Sequence, residues 1–255
     1  MRYARRQLLA APFAFGASRI EVIAHRGEHL ECPENTLPAI LKAIQLGCDW
    51  VEIDVRTTRD GHYVLMHDRT VDSTTDGQGA VSELTLAQLK ALDAGVHRPK
   101  FRGTRVPTLD EALAAIRGRC GVYFDAKQIP APAIVAALKR HRLLDRCLVY
   151  GGWALLQELS ELGYPRLSMP EAVSAGVTQR ILKELNPRVI AFDRRDFQPE
   201  VIALARAAGK GIFVDRLGPD DTPEQWRAAA RLGATGIQTD HPADLLALRL
   251  SASVL

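Results

Sequence analysis

IEVIAHRGEHLECPENTLPAILKAIQLGCDWVEIDV, residues 20–55, holds one complete strand–helix–strand unit. Ile20–His25 and Trp50–Val55 are short, β-branched apolar runs, and between them Thr36–Leu46 places its apolar residues at helical spacing. Gly47 follows that pattern as a helix-ending glycine does. Strands this apolar predict a parallel sheet covered on both faces. The unit recurs: strands are predicted at 121–126, 146–151, 165–170, 188–193, 210–215 and 235–240. Helical patterns run over Leu109–Ile116, Ala131–His141, Pro199–Ala208 and Pro223–Leu232, and Gly163, Gly209 and Gly233 mark further helix ends. Eight units predict an α/β chain closed into a (β/α)8 TIM barrel, with its chemistry at the C-terminal strand ends. A doubly wound open sheet is the alternative, but no glycine-rich phosphate loop follows the first strand.

One region breaks the alternation. After Val55 the chain turns through Thr57–Gly61 and returns as HYVLMHD. Residues 69–105 carry a single helical pattern, Thr85–Asp93, and read as a small insertion after the second strand, a lid above the barrel. The predicted layout is one barrel domain over 19–250 containing the insertion 69–105. Residues 1–18 differ again: Arg2, Arg5 and Arg6 precede LLAAPFAFGA, as in an export signal. That reading predicts a periplasmic or extracellular protein. The alternative, a short N-terminal helix under the barrel, predicts a cytoplasmic one.

The chain has 255 residues, 47% of them hydrophobic, enough to bury a full core. Its net charge of +3 is spread along the sequence without a basic run, which argues against nucleic acid and leaves a small anionic substrate compatible. No apolar run is long enough for stable membrane insertion. Cys32, Cys48, Cys120 and Cys147 show no zinc spacing and are read as free or partly buried thiols, with a disulfide left open if the chain is exported. Composition leaves the oligomeric state open.

Candidate chemistry lies at the ends of the predicted strands. Alternate residues of a strand share a face, so Glu52 and Asp54 point the same way, as do Asp125 and Lys127. Two carboxylates side by side in a buried strand repel unless a cation or an arginine such as Arg26 or Arg56 sits between them. Oxygen ligands suit Mg²⁺ or Ca²⁺, with Asp125 as a third carboxylate. Lys127 would neutralise a developing oxyanion, or else simply pair with Asp125. His25 and His67 each end an apolar run and suit general acid–base work, with metal ligation as the competing role. Arg26 offers a planar fork to two phosphate oxygens. Glu34 and Asn35 precede a helix at Thr36; Asn35 or Thr36 would be its N-cap, and Glu34 and Asn35 are alternatively substrate-side groups that orient His25 or Arg26. His29, His62, His97, His141 and His241 are read as surface or structural.

Together AHRG, PENT, E-x-D-V, T-x-D-G, MHD, PTLDEAL and the terminal GIQTD closely resemble glycerophosphodiester phosphodiesterases, from Ile20 to about Leu246. The resemblance implies a (β/α)8 barrel with an insertion after the second strand. It also implies hydrolysis of a small glycerophosphodiester to glycerol 3-phosphate and an alcohol, with one divalent cation. It makes His25 and His67 the acid and base, Glu52 and Asp54 metal ligands, and places Arg26 and Lys127 on the phosphate. Three positions depart from the family pattern. Asp125 stands where glutamate is usual, and its shorter side chain predicts a shifted or water-bridged metal. Tyr150-Gly151-Gly152-Trp153 replaces the usual Ser-Phe, and Asp215 stands where an aromatic is frequent. The last two face the alcohol side of the pocket. A lysophospholipase D-type activity and a non-catalytic phosphodiester-binding role are the alternatives; aromatic content of only 6% does not suggest an acyl-chain entrance, and both histidines are present.

Overall fold

The computed structural model describes residues 19–251, so the export-signal reading of residues 1–18 lies outside the described residues. Parallel strands alternate with helices: β1 (Glu21–Ala24), α1 (Leu37–Leu46) and β2 (Trp50–Thr57) form the first unit. A short β3 (Tyr63–Leu65) then pairs antiparallel with β2, and α2 (Leu86–Ala91) lies within the insertion. The chain continues through α3 (Leu109–Ile116), β4 (Gly121–Asp125), α4 (Ala131–His141), β5 (Cys147–Tyr150), α5 (Trp153–Glu161) and α6 (Ala175–Glu184). It ends with β6 (Val189–Phe192), α7 (Pro199–Ala207), β7 (Gly211–Asp215), α8 (Pro223–Leu232), β8 (Gly236–Thr239) and α9 (Pro242–Ser251). Helix starts are capped as the sequence allows. Thr36 accepts from Ala39, and Thr108 and Glu111 form a reciprocal capping box on α3. Gly47 and Gly233 close α1 and α8 in the left-handed region.

Seven parallel strands run in the order β5-β4-β2-β1-β8-β7-β6 and nearly close a barrel. The expected strand at 165–170 is not one. Pro165–Leu167 is a 3-10 turn, followed by two single bridges, Ser168 to Val149 of β5 and Glu171 to Ala191 of β6. Met169 donates to the Val149 carbonyl, Ala191 to that of Pro170, and Ala172 to that of Ala191, each at 2.9 Å. The ring is therefore closed by a stretch whose ladder is interrupted. Pro165 and Pro170 lack N–H donors and have a fixed φ, which denies this segment a continuous strand.

Residues alternate between two apolar layers. Val22, Val51, Ile53, Val122, Phe124, Ile190, Ile212 and Ile237 face the helices. Ile23, Trp50, Tyr123, Leu148, Met169, Val189 and Phe213 plug the barrel interior. Trp50 and Phe213 meet edge to face at 5.8 Å. Gly236 leaves room for Phe213, whose ring would lie 2.6 Å from an added Cβ, and Gly121 does the same for Trp50. The four cysteines are free and buried. No described helix is long and apolar enough to cross a membrane.

The insertion has an apolar cluster of its own, made by Val71, Val81, Leu89 and Ala94 with Val64, Met66 and Val106. It is tied to the strand ends, since the Met66 amide donates to the Asp54 carbonyl at 3.0 Å and Arg98 Nη2 donates to the His29 carbonyl at 2.9 Å.

Gly121→Ala drives a methyl group into the Trp50 ring. The expected loss is about 1–3 kcal/mol, the usual cost of overfilling a packed core. Urea unfolding followed by tryptophan fluorescence checks it, and an unchanged midpoint would show that the barrel interior has slack at this layer.

Candidate active site

The pleat that fills the interior also builds the site. Trp50, Glu52, Asp54 and Arg56 share one face of β2, and Tyr123, Asp125 and Lys127 share the matching face of β4 and its exit. Their inner members are apolar and their outer members are charged. Glu52, Asp54 and Asp125 each present an oxygen within 4.8 Å of the others. Glu52 and Asp54 are only 2% and 1% exposed.

The loop after β1 neutralises this cluster. The Arg26 amide donates to Glu52 Oε2 at 2.6 Å, and its Nε lies 3.6 Å from Asp54 Oδ2. Glu34 grips the Arg26 guanidinium through Nη1 at 3.1 and 3.2 Å. Asn35 Nδ2 donates to Asp54 Oδ2 at 2.7 Å, while the Asp54 amide donates back to Asn35 Oδ1 at 3.1 Å. Thr36, not Asn35, caps α1. Arg26 and Asn35 both adopt left-handed backbone with φ of 53°, which costs a residue with a Cβ about 1–2 kcal/mol. Lys127 Nζ sits 2.7 Å from Asp125 Oδ2 and 3.3 Å from Asp54 Oδ1. The expected Asp125–Lys127 pair is thus present, beside the carboxylate cluster rather than instead of it.

Burial, then Asp54 and Asp125, push the Glu52 carboxyl well above its ordinary range, and the Arg26 amide only partly offsets this. Burial also raises Asp125, against the pull of Lys127. Burial pulls Lys127 down, but Asp125 and Asp54 outweigh it and hold the ammonium above its usual value. A set of three carboxylates whose repulsion is only partly relieved fits a hard divalent cation. Glu52, Asp54 and Asp125 could hold one.

His25 Nδ1 lies 2.6 Å from Asp240 Oδ1, which leaves Nε2 to face the site. Asp240 is itself held, because its amide donates to Asp221 Oδ2 at 2.6 Å. Trp226 Nε1 and Thr239 Oγ1 donate to Asp221 Oδ1 at 2.7 and 2.6 Å. His29 Nδ1 is 2.7 Å from the His25 carbonyl and its Nε2 is 3.4 Å from Asp240. His25, His29 and Asp240 also bring one ligand atom each within 4.8 Å of one another. Burial lowers the His25 imidazole below its ordinary value, with Asp240 opposing. Sequence reasoning passed over Asp240, although GIQTD put it at the end of the last strand, and it read His29 as surface or structural. The usable signals were that strand-end position and the i, i+4 spacing of HRGEH.

His67 is fixed differently. Its Nδ1 lies 2.8 Å from Asp68 Oδ1, and Ser73 donates to Asp68 Oδ2 at 2.6 Å. Arg56 donates twice to the His67 carbonyl, through Nε at 3.0 Å and Nη2 at 2.5 Å. Across the mouth, Tyr150 Oη donates to Glu171 Oε2 at 2.8 Å. Burial, then Glu171, Asp193 and Asp125, push Asp215 up to about 8. Trp153 turns away from the mouth, with Arg180 stacked on its ring at 4.1 Å.

A parallel barrel with carboxylates, an arginine, a lysine and a carboxylate-held histidine at its C-terminal mouth suits the binding and hydrolysis of a phosphate ester. The glycerophosphoryl diester phosphodiesterase family profile matches residues 25–148. A glycerophosphodiester phosphodiesterase of Caldanaerobacter subterraneus is 32% identical over 89% of this chain and 96% of its own length. One from Bacillus subtilis is 34% identical over 88% of this chain and 84% of its own length. Among solved structures, the Agrobacterium tumefaciens glycerophosphodiester phosphodiesterase superposes with a TM-score of 0.79 at 28% identity, covering 89% of this chain and 99% of that one. An Oleispira antarctica phosphodiesterase, solved with its product sn-glycerol-3-phosphate, gives 0.79 at 26% identity over 92% of this chain and 98% of that one. This chain belongs to the glycerophosphodiester phosphodiesterase family.

Asp240 is what opposes the lowering of His25. In Asp240→Asn the titration midpoint of His25, followed by NMR of its ring, is expected to move to lower pH. A midpoint that stays in place would show that Asp240 is not the partner of this imidazole.

Proposed function

We propose that this enzyme cleaves glycerophosphodiesters to glycerol 3-phosphate and an alcohol, with a divalent cation at Glu52, Asp54 and Asp125 and with His25 and His67 as the acid–base pair. The observation that carries this reading is the convergence of three carboxylate oxygens within 4.8 Å beside Arg26 and Lys127. The product named for the Oleispira relative supports the same product here.

A cation held by the carboxylates would supply positive charge to the phosphate oxygens. The chain's own groups do the rest. Lys127 and the part of the Arg26 fork not spent on Glu34 balance the charge that grows on phosphorus-bound oxygen. His67 Nε2 takes the proton from the attacking hydroxyl as the new P–O bond forms. Where that hydroxyl is the substrate's own glycerol 2-hydroxyl, a water then attacks the cyclic phosphate and breaks its P–O2 bond, the oxygen leaving with a proton, to give glycerol 3-phosphate. His25 Nε2 gives its proton to the departing alcohol oxygen as the old P–O bond breaks, and Asp240 steadies the imidazolium before transfer. Glu34 and Asn35 serve this arrangement by holding Arg26 and Asp54. The insertion 69–105 follows His67 directly and is proposed to cover the mouth on that side.

Glu52→Ala and Asp54→Ala are each expected to lower turnover by at least about 10²-fold, the scale of losing a principal electrostatic stabiliser. Cation binding followed by calorimetry should weaken in parallel. Full activity in a chelator would remove the metal from the scheme.

His25→Ala and His67→Ala should each cost roughly 10²–10⁴-fold, and the double variant little more than either single one. A nitrophenyl diester, whose leaving group needs little protonation, should rescue His25→Ala and not His67→Ala. Rescue of His67→Ala instead reverses the two roles.

A further inference from the structure

Lys127 borders a second opening besides the carboxylate cluster. It is a groove of about 530 Å³ lined by Arg56, Arg69, Ala80, Ser82, Lys127 and Gln128. Lys127 is the residue it shares with the site, and the strand pleat places the two side by side. Arg56 is the next residue outward from Glu52 and Asp54 on their face of β2, as Lys127 is from Asp125 on β4. The insertion supplies the far wall, where the Thr70–Ala80 bridge and a 2.9 Å hydrogen bond from the Val81 amide to the Arg69 carbonyl hold Arg69 in position.

The charges in this groove are one-sided. Its lining residues include three cations and no carboxylate. Lys127, at the inner end, is already paired with Asp125 and Asp54. Arg56 spends Nε and Nη2 on the uncharged carbonyl of His67, and its other charged neighbours are Asp54, Asp125 and Asp68 on one side and Arg69 on the other. Arg69 is exposed, and among the described residues no ion pair or side-chain hydrogen bond holds its guanidinium. Two guanidinium groups therefore border one concave space whose inner end is Lys127, the residue the diesterase reading places on the phosphate. Two positive charges in a fork-shaped setting match a phosphomonoester, which carries about −1.5 to −2 near neutral pH, better than a singly charged group.

We propose that this groove binds a phosphomonoester carried on the alcohol half of the substrate, so that the enzyme prefers glycerophosphodiesters whose alcohol is itself phosphorylated. The inference rests on the diesterase reading above and names the alcohol that reading leaves open. It also gives the insertion a task, because Arg69, Ala80 and Ser82 come from it.

The test compares glycerophosphoinositol with glycerophosphoinositol 4-phosphate, which share an alcohol and differ by one monoester. The full enzyme should show the higher kcat/KM on the phosphorylated diester, and Arg69→Ala should reduce that preference about tenfold, the equivalent of roughly 1.4 kcal/mol. Raising the salt concentration should shrink the preference in the same direction, because the groove is open to solvent. Equal kcat/KM for the two diesters in the full enzyme overturns the groove and leaves the diesterase standing. An equal loss on both diesters in Arg69→Ala also overturns it, since Arg69 would then serve the shared phosphate. If added inorganic phosphate changes glycerophosphoinositol turnover in the full enzyme and not in Arg69→Ala, the groove holds free phosphate and the substrate assignment fails. If the folded enzyme cleaves neither diester, the diesterase reading falls and the groove assignment falls with it.

Discussion

Three carboxylates held together out of water set the terms for everything around the mouth of this barrel. Two like unit charges 4 Å apart repel by about 4 kcal/mol at the effective dielectric of a protein surface, and more where burial is deeper. Glu52, Asp54 and Asp125 would repel one another more strongly without counter-charges fixed to the scaffold. The β1 loop supplies them at a backbone cost. Arg26 sits in the left-handed region at about 1–2 kcal/mol, less than the repulsion its amide and guanidinium offset. Glu34 and Asn35 then fix that loop to its own charge and to Asp54. The PENT segment is accordingly a brace, and its polar groups face inward because the carboxylates require them there.

Support of this kind extends beyond the first residues that touch. His25 is held by Asp240, Asp240 by Asp221, and Asp221 by Trp226 and Thr239. Helix α8 and the end of the last strand thus set the orientation of an imidazole just after the first strand, across the β1–β8 seam of the ring. His67 has no such depth of support. It is more exposed and depends on Asp68, Ser73 and the Arg56 fork. A histidine held by a buried relay and one held by a surface loop differ in rigidity, and the looser one lies where the insertion begins.

How much of this was legible in the sequence depends on range. Strand alternation is a local signal, and it suffices to place Glu52 with Asp54, and Asp125 with Lys127, on the faces they occupy. Seven of the eight parallel strands follow the apolar runs to within one or two residues. PRLSMP misled because its composition resembles a strand while its prolines remove the donors that a ladder requires. Asp240 was missed for another reason. Its partner lies 215 positions away in sequence, so nothing local marks it as more than the end of the final strand. Arg56 was considered only as a neutraliser of the carboxylates, because its bond to the His67 carbonyl depends on the hairpin bringing β3 back beside β2.

The interrupted closure between β5 and β6 has a mechanical meaning. Everywhere else the ring is joined by ladders of two to five paired residues; at this seam it is joined by single bridges around Pro170. Cooperative structure opens first where the fewest hydrogen bonds must break together. Thermal opening of the barrel should therefore start at this stitch, on the side away from the carboxylates. The wall bearing Glu171 can then move while the β1–β2–β4 wall stays rigid. A rim built this way can yield on one side without disturbing the carboxylate geometry on the other.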